Sequence, residues 1–300
     1  MKKHSFKEWL VVTRYWSFAV SSAPVLVTFA YLCSRHLLPG GAMPVVTFVL
    51  ALIGVVILHA AGNVLSDYFD YKSGVDNEKA FAVPNLVYHK FEPKEYLVFS
   101  VILFAVGIAI GLLLTLLTGF TLLIIGGIGV VLTACYAFFK YHALGDLDIF
   151  IIFSVLIMLG TSFVVTGSVV WDALVLALPV GIITVSVLHA NNTLDINSDR
   201  EAGIKTFAML LGGHTSSVLY RIYMVIPFLA VVGAVIFGYL HPLSLLCLVA
   251  ALPAWGNFKA ASHFEEKGLE TMAGLDQGSA KLQTVFSGTL AIGLFIAALL

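Results

Sequence analysis

The stretch VVTFVLALIGVVILHAAGNVLSDYFD, residues 45–70, decides what kind of protein this is. Its first part is an almost unbroken apolar run. At 1.5 Å per residue a helix of about 20 such residues crosses the roughly 30 Å hydrocarbon core of a bilayer. Its end places Asn63, Asp67 and Asp70 at i, i+4 and i+7, so a continuing helix carries all three on one stripe. The segment therefore reads as a membrane span that ends in aligned carboxylates.

The rest of the chain agrees. Of its 300 residues 60% are hydrophobic and 11% charged, with a mean hydropathy of +1.00. A soluble domain is nearer 45–50% apolar and about 25% charged. No soluble core hides that much apolar surface, so the lipid bilayer is the expected solvent. A net charge of −1 gives no basic footprint, and nucleic acid is excluded as a partner. Nine apolar segments qualify as spans: 12–33, 44–66, 96–117, 119–139, 147–167, 172–190, 217–238, 241–256 and 281–300. The expected fold is all-α: one domain over 1–300, with nine transmembrane helices around a central cavity open to the cytoplasmic side. Gly107 and Gly111 in the third span form a G-x-x-x-G read as helix packing. Cys33, Cys135 and Cys247 are far apart in apolar runs and read as small buried residues. The basic start, MKKHSFKEWL, reads as the retained flank of the first span and not as a signal peptide.

Nine spans also sort the charges. Fifteen of the 16 basic residues fall on the side of the N-terminus, and Arg35 alone falls on the other. By the positive-inside rule that side is cytoplasmic, and the cytoplasmic (inner) membrane is the expected location. Of the 17 acids only Asp172 lies on the far side. Acids barely influence topology, so their one-sidedness asks for a functional reason.

A second stripe supplies it. The sixth span ends in HANNTLDINSDREAGIKT, residues 189–206, with Asn192, Asp195 and Asp199 at i, i+3 and i+7. Asn191 precedes Asp195 by four residues, as Asn63 precedes Asp67. Four spans separate the two patterns, so both end on the same side. The repeat hints at a duplication. One aspartate near an interface is commonly a solvated helix end, but two matched stripes continuous with apolar spans are poorly explained that way. A carboxylate at mid-membrane costs about 2.5–3.5 kcal/mol, less near the interface, and like charges on one face repel. A divalent cation relieves both problems, and oxygen-only ligands point to Mg²⁺. Lys72, Lys79 and Lys90 follow the first stripe, and Arg200 and Lys205 the second. Carboxylates, Mg²⁺ and cations together suit a phosphate-bearing leaving group. A transporter also places acids in membrane helices, but near mid-bilayer in broken helices. Here the acids sit at span ends beside lysines and arginines.

These residues resemble the UbiA-type superfamily of intramembrane prenyltransferases. The first motif appears as Ser66-Asp67-Tyr68-Phe69-Asp70, with Asp76 as third aspartate and Ser66 where the family usually has Asn. The second appears as Asp195 and Asp199, and the family's Y-x-x-x-K as Tyr136 and Lys140. Within the superfamily, ALGDLDIF…LGTSFVVTG and NNTLDINSDREAGIKTFAMLLG look like the 1,4-dihydroxy-2-naphthoate prenyltransferases of menaquinone synthesis. There are departures. Tyr15 follows Arg14 where Pro is usual, Asn197 stands where Asp is frequent, and the loop over 77–93 lacks the usual Arg-Pro and glycine-rich pattern.

The resemblance implies Mg²⁺-dependent transfer of a polyprenyl chain from its diphosphate to an aromatic acceptor. It makes Asp67, Asp70, Asp195 and Asp199 the catalytic metal ligands, joined by Asp76. Asn63, Lys140, Arg200 and Lys205 become diphosphate contacts, and Tyr68, Tyr136, Tyr141 and Asn192 the substrate pocket. His59 and His189 lie near the stripes and read as interhelical hydrogen-bonding residues, with proton transfer as the alternative.

Overall fold

The computed structural model describes residues 4–75 and 85–300. Among these residues the chain is helical, and its only β-type pairing is one isolated bridge, between His142 and Lys205. Eight helices are long and apolar enough to cross a membrane, which makes this a multi-pass membrane protein. In chain order the spans are α1 Tyr15–Ser34, α2 Met43–Ser73, α3 Pro93–Thr118, α5 Gly145–Thr166, α6 Trp171–Leu194, α7 Gly213–Ile236, α8 Pro242–Ala261 and α9 Leu275–Ala297. Between α3 and α5 lies α4, Thr121–Ala134, which is apolar but only 14 residues long.

The expected span 119–139 is thus broken. The backbone turns at Cys135, and a short helix, Tyr136–Tyr141, continues toward the loop. Hydropathy does not register this break, because Phe138 and Phe139 keep the window apolar. Cys135 is exposed at the turn, against the expectation of burial, while Cys247 is buried and Cys33 half-buried.

The core gathers around α1, α6 and α9. The apolar window of α6 is 67% buried, against 17% for α3 and 22% for α8, so α6 is interior while α3 and α8 face lipid. The order of packing follows: α9 lies against α1, α6 and α8, and α1 also touches α2 and α5. Helices α5 and α6 approach closely at Gly181, where a Cβ would meet Phe150 and Ser154 at 2.7–2.8 Å. There α5 widens into a π-helical stretch over Ile151–Leu156. Only half of the G-x-x-x-G reading holds. A Cβ on Gly107 would meet Leu58 of α2, whereas one on Gly111 meets nothing within 4 Å.

Ahead of the spans, Phe6–Val12 forms a short helix started by a Ser5/Glu8 capping box. Trp9 and Val12 pack with Val64, Tyr68, Phe91 and Tyr96, and His4 stacks on Phe91 while hydrogen-bonding Glu95. This seat fixes the turn that follows, where Arg14 takes a left-handed conformation at φ 54°. Arg35 and Asp172 both lie within electrostatic reach of Tyr31 at the other end of α1.

Candidate active site

Three residues of α2 at i, i+4 and i+8 tie it to the N-terminal turn. His59 places Nδ1 3.0 Å from Ser21 Oγ. Asn63 donates to the Thr13 carbonyl at 3.0 Å and to Ser17 Oγ at 3.3 Å. Asp67 accepts a short charged hydrogen bond from Arg14. One turn further, Asp70 is 4% exposed and accepts from Lys140 Nζ at 3.0 Å, Tyr141 OH at 2.7 Å and Ser66 Oγ at 3.4 Å. Tyr136, one turn before Lys140, lies within electrostatic reach of Lys140, Asp70 and Arg14.

Lys140 is held in place by the pairing of two loops. Ala143 N–H donates to the Lys205 carbonyl at 2.7 Å, and Lys205 N–H donates to the Tyr141 carbonyl at 3.1 Å. Gly203, at φ +76°, makes the reversal that brings 204–206 alongside; a residue with a Cβ would be strained there. The loop after α4 is thereby joined to the loop after α6, and the second carboxylate pair arrives beside the first.

That second pair sits where α6 ends. The helix stops at Leu194, the backbone bends at Asp195, and Ile196–Glu201 starts a new short helix. Asp199 N–H still donates to the Asp195 carbonyl at 2.8 Å, so the two side chains stay one turn apart as the spacing implies. Asp199 is 1% exposed. Asp195 Oδ1 and Asp199 Oδ2 are both buried without a hydrogen-bond partner. Burial pushes Asp199 up to about 7, with Lys140 opposing and Asp195 and Asp70 adding to the shift. Burial raises Asp195 too, with Lys140 and Arg14 opposing. Lys140 itself is pulled down by burial, but Asp70, Tyr136 and Asp199 outweigh it and leave the ammonium held above its ordinary range. The two pairs therefore share one electrostatic site with Lys140 between them.

The other expected residues divide. Tyr141 and Tyr136 join the site. Tyr68, one residue and about 100° round the helix from Asp67, turns away into the Trp9–Phe91 cluster, with Lys72 over its ring at 5.3 Å. Asn192 is 3% exposed and donates to Asp146 Oδ1 at 3.4 Å. Arg200 and Lys205 are exposed, and Lys205 contributes its backbone. Asp76 lies outside the described residues, as does Lys79. Among the described residues no three His, Cys, Asp or Glu side chains converge closely enough to hold a metal ion on their own.

Two functional neighbours escape the spacing argument. Arg14 is 53 residues from Asp67, and its signal is a lone arginine in the turn that opens a span. Asp146 is fully engaged beneath the second pair, where His189 Nδ1 lies 2.8 Å from its Oδ2 and His189 Nε2 lies 3.2 Å from the Ser216 carbonyl. Both ring nitrogens face acceptors, one on α5 and one on α7, so the ring bridges three helices. His59 and His189 both bond between elements, in line with the reading preferred for them.

Next to the site is an apolar cleft of about 400 Å³ between α2, α3, α4 and α5. His59 is its one titratable lining residue, and Gly111, Gly126 and Gly127 line it where a Cβ would meet open space. Leu112, Leu123 and Val131 at its margin are exposed, so it opens toward lipid.

A description of the UbiA prenyltransferase family matches residues 13–270, which contain both aspartate pairs. The UbiA prenyltransferase domain-containing protein 1 of Xenopus tropicalis is 33% identical over 247 residues, covering 76% of this chain and 68% of that protein. Among solved structures, the apo UbiA homolog from Aeropyrum pernix K1 superposes with a TM-score of 0.69 at 18% identity, over 93% of this chain and 97% of that one. A UbiA homolog from Archaeoglobus fulgidus bound to GPP and Mg²⁺ gives 0.69 at 12% identity, over 98% of this chain and 100% of that one. The structures share the fold, and the sequence match carries the kinship: the chain belongs to the UbiA prenyltransferase family.

Proposed function

We propose that this protein transfers a polyprenyl chain from a polyprenyl diphosphate to an aromatic acceptor with Mg²⁺, and that the acceptor is 1,4-dihydroxy-2-naphthoate, on the route to menaquinone. The observation that carries the reading is the meeting around Lys140 of two carboxylate pairs, each with one buried member (Asp70 and Asp199), with oxygens of Asp195 and Asp199 unpartnered. Such orphaned anionic oxygens suit a hard divalent cation. Mg²⁺ characteristically takes one or two carboxylates and completes its shell with water and substrate phosphates, so one carboxylate pair is a sufficient protein contribution for one ion. When bound, Mg²⁺ supplies electrostatic stabilisation of the departing diphosphate.

The chain's own residues do the rest. Asp67 and Asp70 would hold metal on one side and Asp195 and Asp199 on the other, with Asp76 as a further ligand. Lys140 and Arg14 are the cations placed to meet diphosphate charge, and Tyr141 donates its hydroxyl at the same point. Arg200 and Lys205 are exposed at the mouth, where they draw the anion in without gripping it. Asn63 acts by fixing the turn that carries Arg14, and Asn192 by anchoring α6 to Asp146. Tyr136 walls the pocket beside the reacting carbon, where an aromatic face favours an allylic cation and water is excluded. The cleft between α2 and α5 is apolar and opens toward lipid, which suits a tail that never needs to enter water. The acceptor ring attacks the allylic carbon as its C–O bond breaks and diphosphate leaves, and the ring regains aromaticity by losing a proton; with a naphthoate acceptor its carboxylate leaves as CO₂ in place of that proton.

The same reading makes the chain one domain over 1–300, with α4 as the ninth span, the N-terminus and both carboxylate pairs cytoplasmic, and the site opening to that side. The test is an assay of detergent-purified protein with Mg²⁺, a radiolabelled polyprenyl diphosphate and a panel of aromatic acceptors. Label should move fastest onto 1,4-dihydroxy-2-naphthoate. Transfer to a different ring would replace the acceptor, and no transfer to any ring would remove the reading.

A further inference from the structure

The four carboxylates at the site are chemically unequal. Each member of the first pair already has a cation. Asp67 is bonded by Arg14, with the two side chains 16% and 38% exposed. Asp70 is bonded by Lys140, with 5% and 13% exposed, and it also accepts from Tyr141 and Ser66. In the second pair, Asp195 Oδ1 and Asp199 Oδ2 are buried and accept nothing.

The cations on the first pair are not there by drift of long side chains. Arg14 sits on a left-handed turn whose backbone is pinned by Ser17 Oγ on the Arg14 carbonyl at 2.7 Å and by Asn63 on the Thr13 carbonyl. Lys140 sits at the foot of the loop pairing through Ala143 and Lys205. Both are delivered by hydrogen-bonded backbone, Arg14 from the turn before α1 and Lys140 from the loop after α4.

A divalent cation therefore meets different opposition at the two pairs. At Asp67 and Asp70 it must break charge-assisted hydrogen bonds, leaving the Arg14 guanidinium without its carboxylate and the Lys140 ammonium uncompensated in a largely buried place. At Asp195 and Asp199 it displaces no protein cation and satisfies oxygens that otherwise carry a desolvation cost. The opposition at the first pair vanishes once a diphosphate is present, because Arg14 and Lys140 then have another anion to bond.

We infer that metal loading is ordered: the first ion binds at Asp195/Asp199 without substrate, and the first pair accepts an ion only when a diphosphate takes Arg14 and Lys140 from Asp67 and Asp70. Arg14 and Lys140 are thus counter-ions that transfer from carboxylate to diphosphate. The inference rests on the metal-dependent reading above and specifies the order within it.

The experiment is Mn²⁺ binding to the full chain in detergent, followed by electron paramagnetic resonance, with and without inorganic pyrophosphate. Without pyrophosphate one ion should bind. Asp195→Asn or Asp199→Asn should weaken it on the order of tenfold or more, which is about 1.4 kcal/mol. Asp67→Asn should leave it unchanged. With pyrophosphate a second ion should appear, and Asp67→Asn should remove that second ion only. Arg14→Gln should act in the opposite sense, admitting a second ion without pyrophosphate; loss of a merely structural contact would not add a binding site. Each variant is checked by size-exclusion profile, and the two substitutions in the second pair stand in for one another if either misfolds. Two ions on the wild type without pyrophosphate, or loss of the substrate-free ion in Asp67→Asn but not in Asp195→Asn, would overturn the order while leaving the metal-dependent reading intact. No bound Mn²⁺ under either condition would overturn both.

Discussion

Asp199 shows at the level of one residue why this site needs a partner. Burial holds it at about 7, against an ordinary aspartate value near 4. In the metal-free protein the folded state keeps a proton that the unfolded chain has already released between about pH 4 and pH 7. Stability is therefore lost as pH rises through that window, and the loss is complete above it. Asp199→Asn removes the cost without changing the shape. Melted in EDTA and detergent, the variant should unfold above the wild type at about pH 8 and together with it near pH 4. A variant that melts lower at the alkaline end would show that Asp199 is stabilised by its surroundings and not penalised by them. How much of this was readable differs residue by residue. The i, i+4 spacing of Asp195 and Asp199 predicts their common direction, and an even number of spans predicts that they end on the same side as Asp67 and Asp70. Nothing in the spacing predicts that Arg14 reaches Asp67, because that contact depends on a left-handed turn and on the packing of Trp9 and Val12 ahead of it. Tyr68 misleads for a simpler reason: residues adjacent in a helix point about 100° apart, so a neighbour of Asp67 in sequence leaves its stripe.

At the level of elements, the second pair depends on how α6 is held. The helix end is anchored by His189 and Asn192 to Asp146 at the start of α5, and the loop beyond it by the Tyr141–Lys205 pairing. His189 is fully buried. Removing one partner so that a buried acceptor is left unsatisfied costs about 1–3 kcal/mol, more where that acceptor is charged. His189→Ala should therefore lower the denaturation midpoint in detergent strongly, while His189→Gln, which can still donate toward Asp146, should recover part of it. If His189→Ala melts with the wild type, the anchor is not structural and the histidine is free to serve in proton transfer. The start and end of most spans are legible because apolar composition is what the bilayer selects. The break at Cys135 is not, since the residues on both sides are equally apolar and the turn is satisfied by backbone bonds. The pairing of the two loops is equally hidden: it is made by main-chain groups of His142 to Lys205, which leave no pattern in the side chains.

The whole molecule is a bundle in which α1, α5, α6 and α9 are the most interior spans and both carboxylate pairs stand at one end. Charge asymmetry in the sequence gives that end an address. A reporter at the C-terminus should lie outside the cytoplasm, and tags within 73–90 and 200–212 should lie inside it. A cytoplasmic C-terminus would mean that α4, the short ninth helix, does not cross. The central claim is that two pairs, 128 residues apart by the positions of Asp67 and Asp195, act as one unit on a metal-bound diphosphate. The direct measurement is prenyl transfer from a radiolabelled polyprenyl diphosphate by wild type, Asp67→Ala, Asp195→Ala and the double variant, each with EDTA and then with Mg²⁺ restored. Folding of each is verified by its size-exclusion profile. The account predicts no transfer in EDTA, recovery with Mg²⁺, a loss on the order of a hundredfold or more in each single variant, and a double variant little worse than either, because groups that work as a unit are not additive. A well-folded Asp195→Ala protein that transfers the prenyl group at a near-normal rate would contradict it.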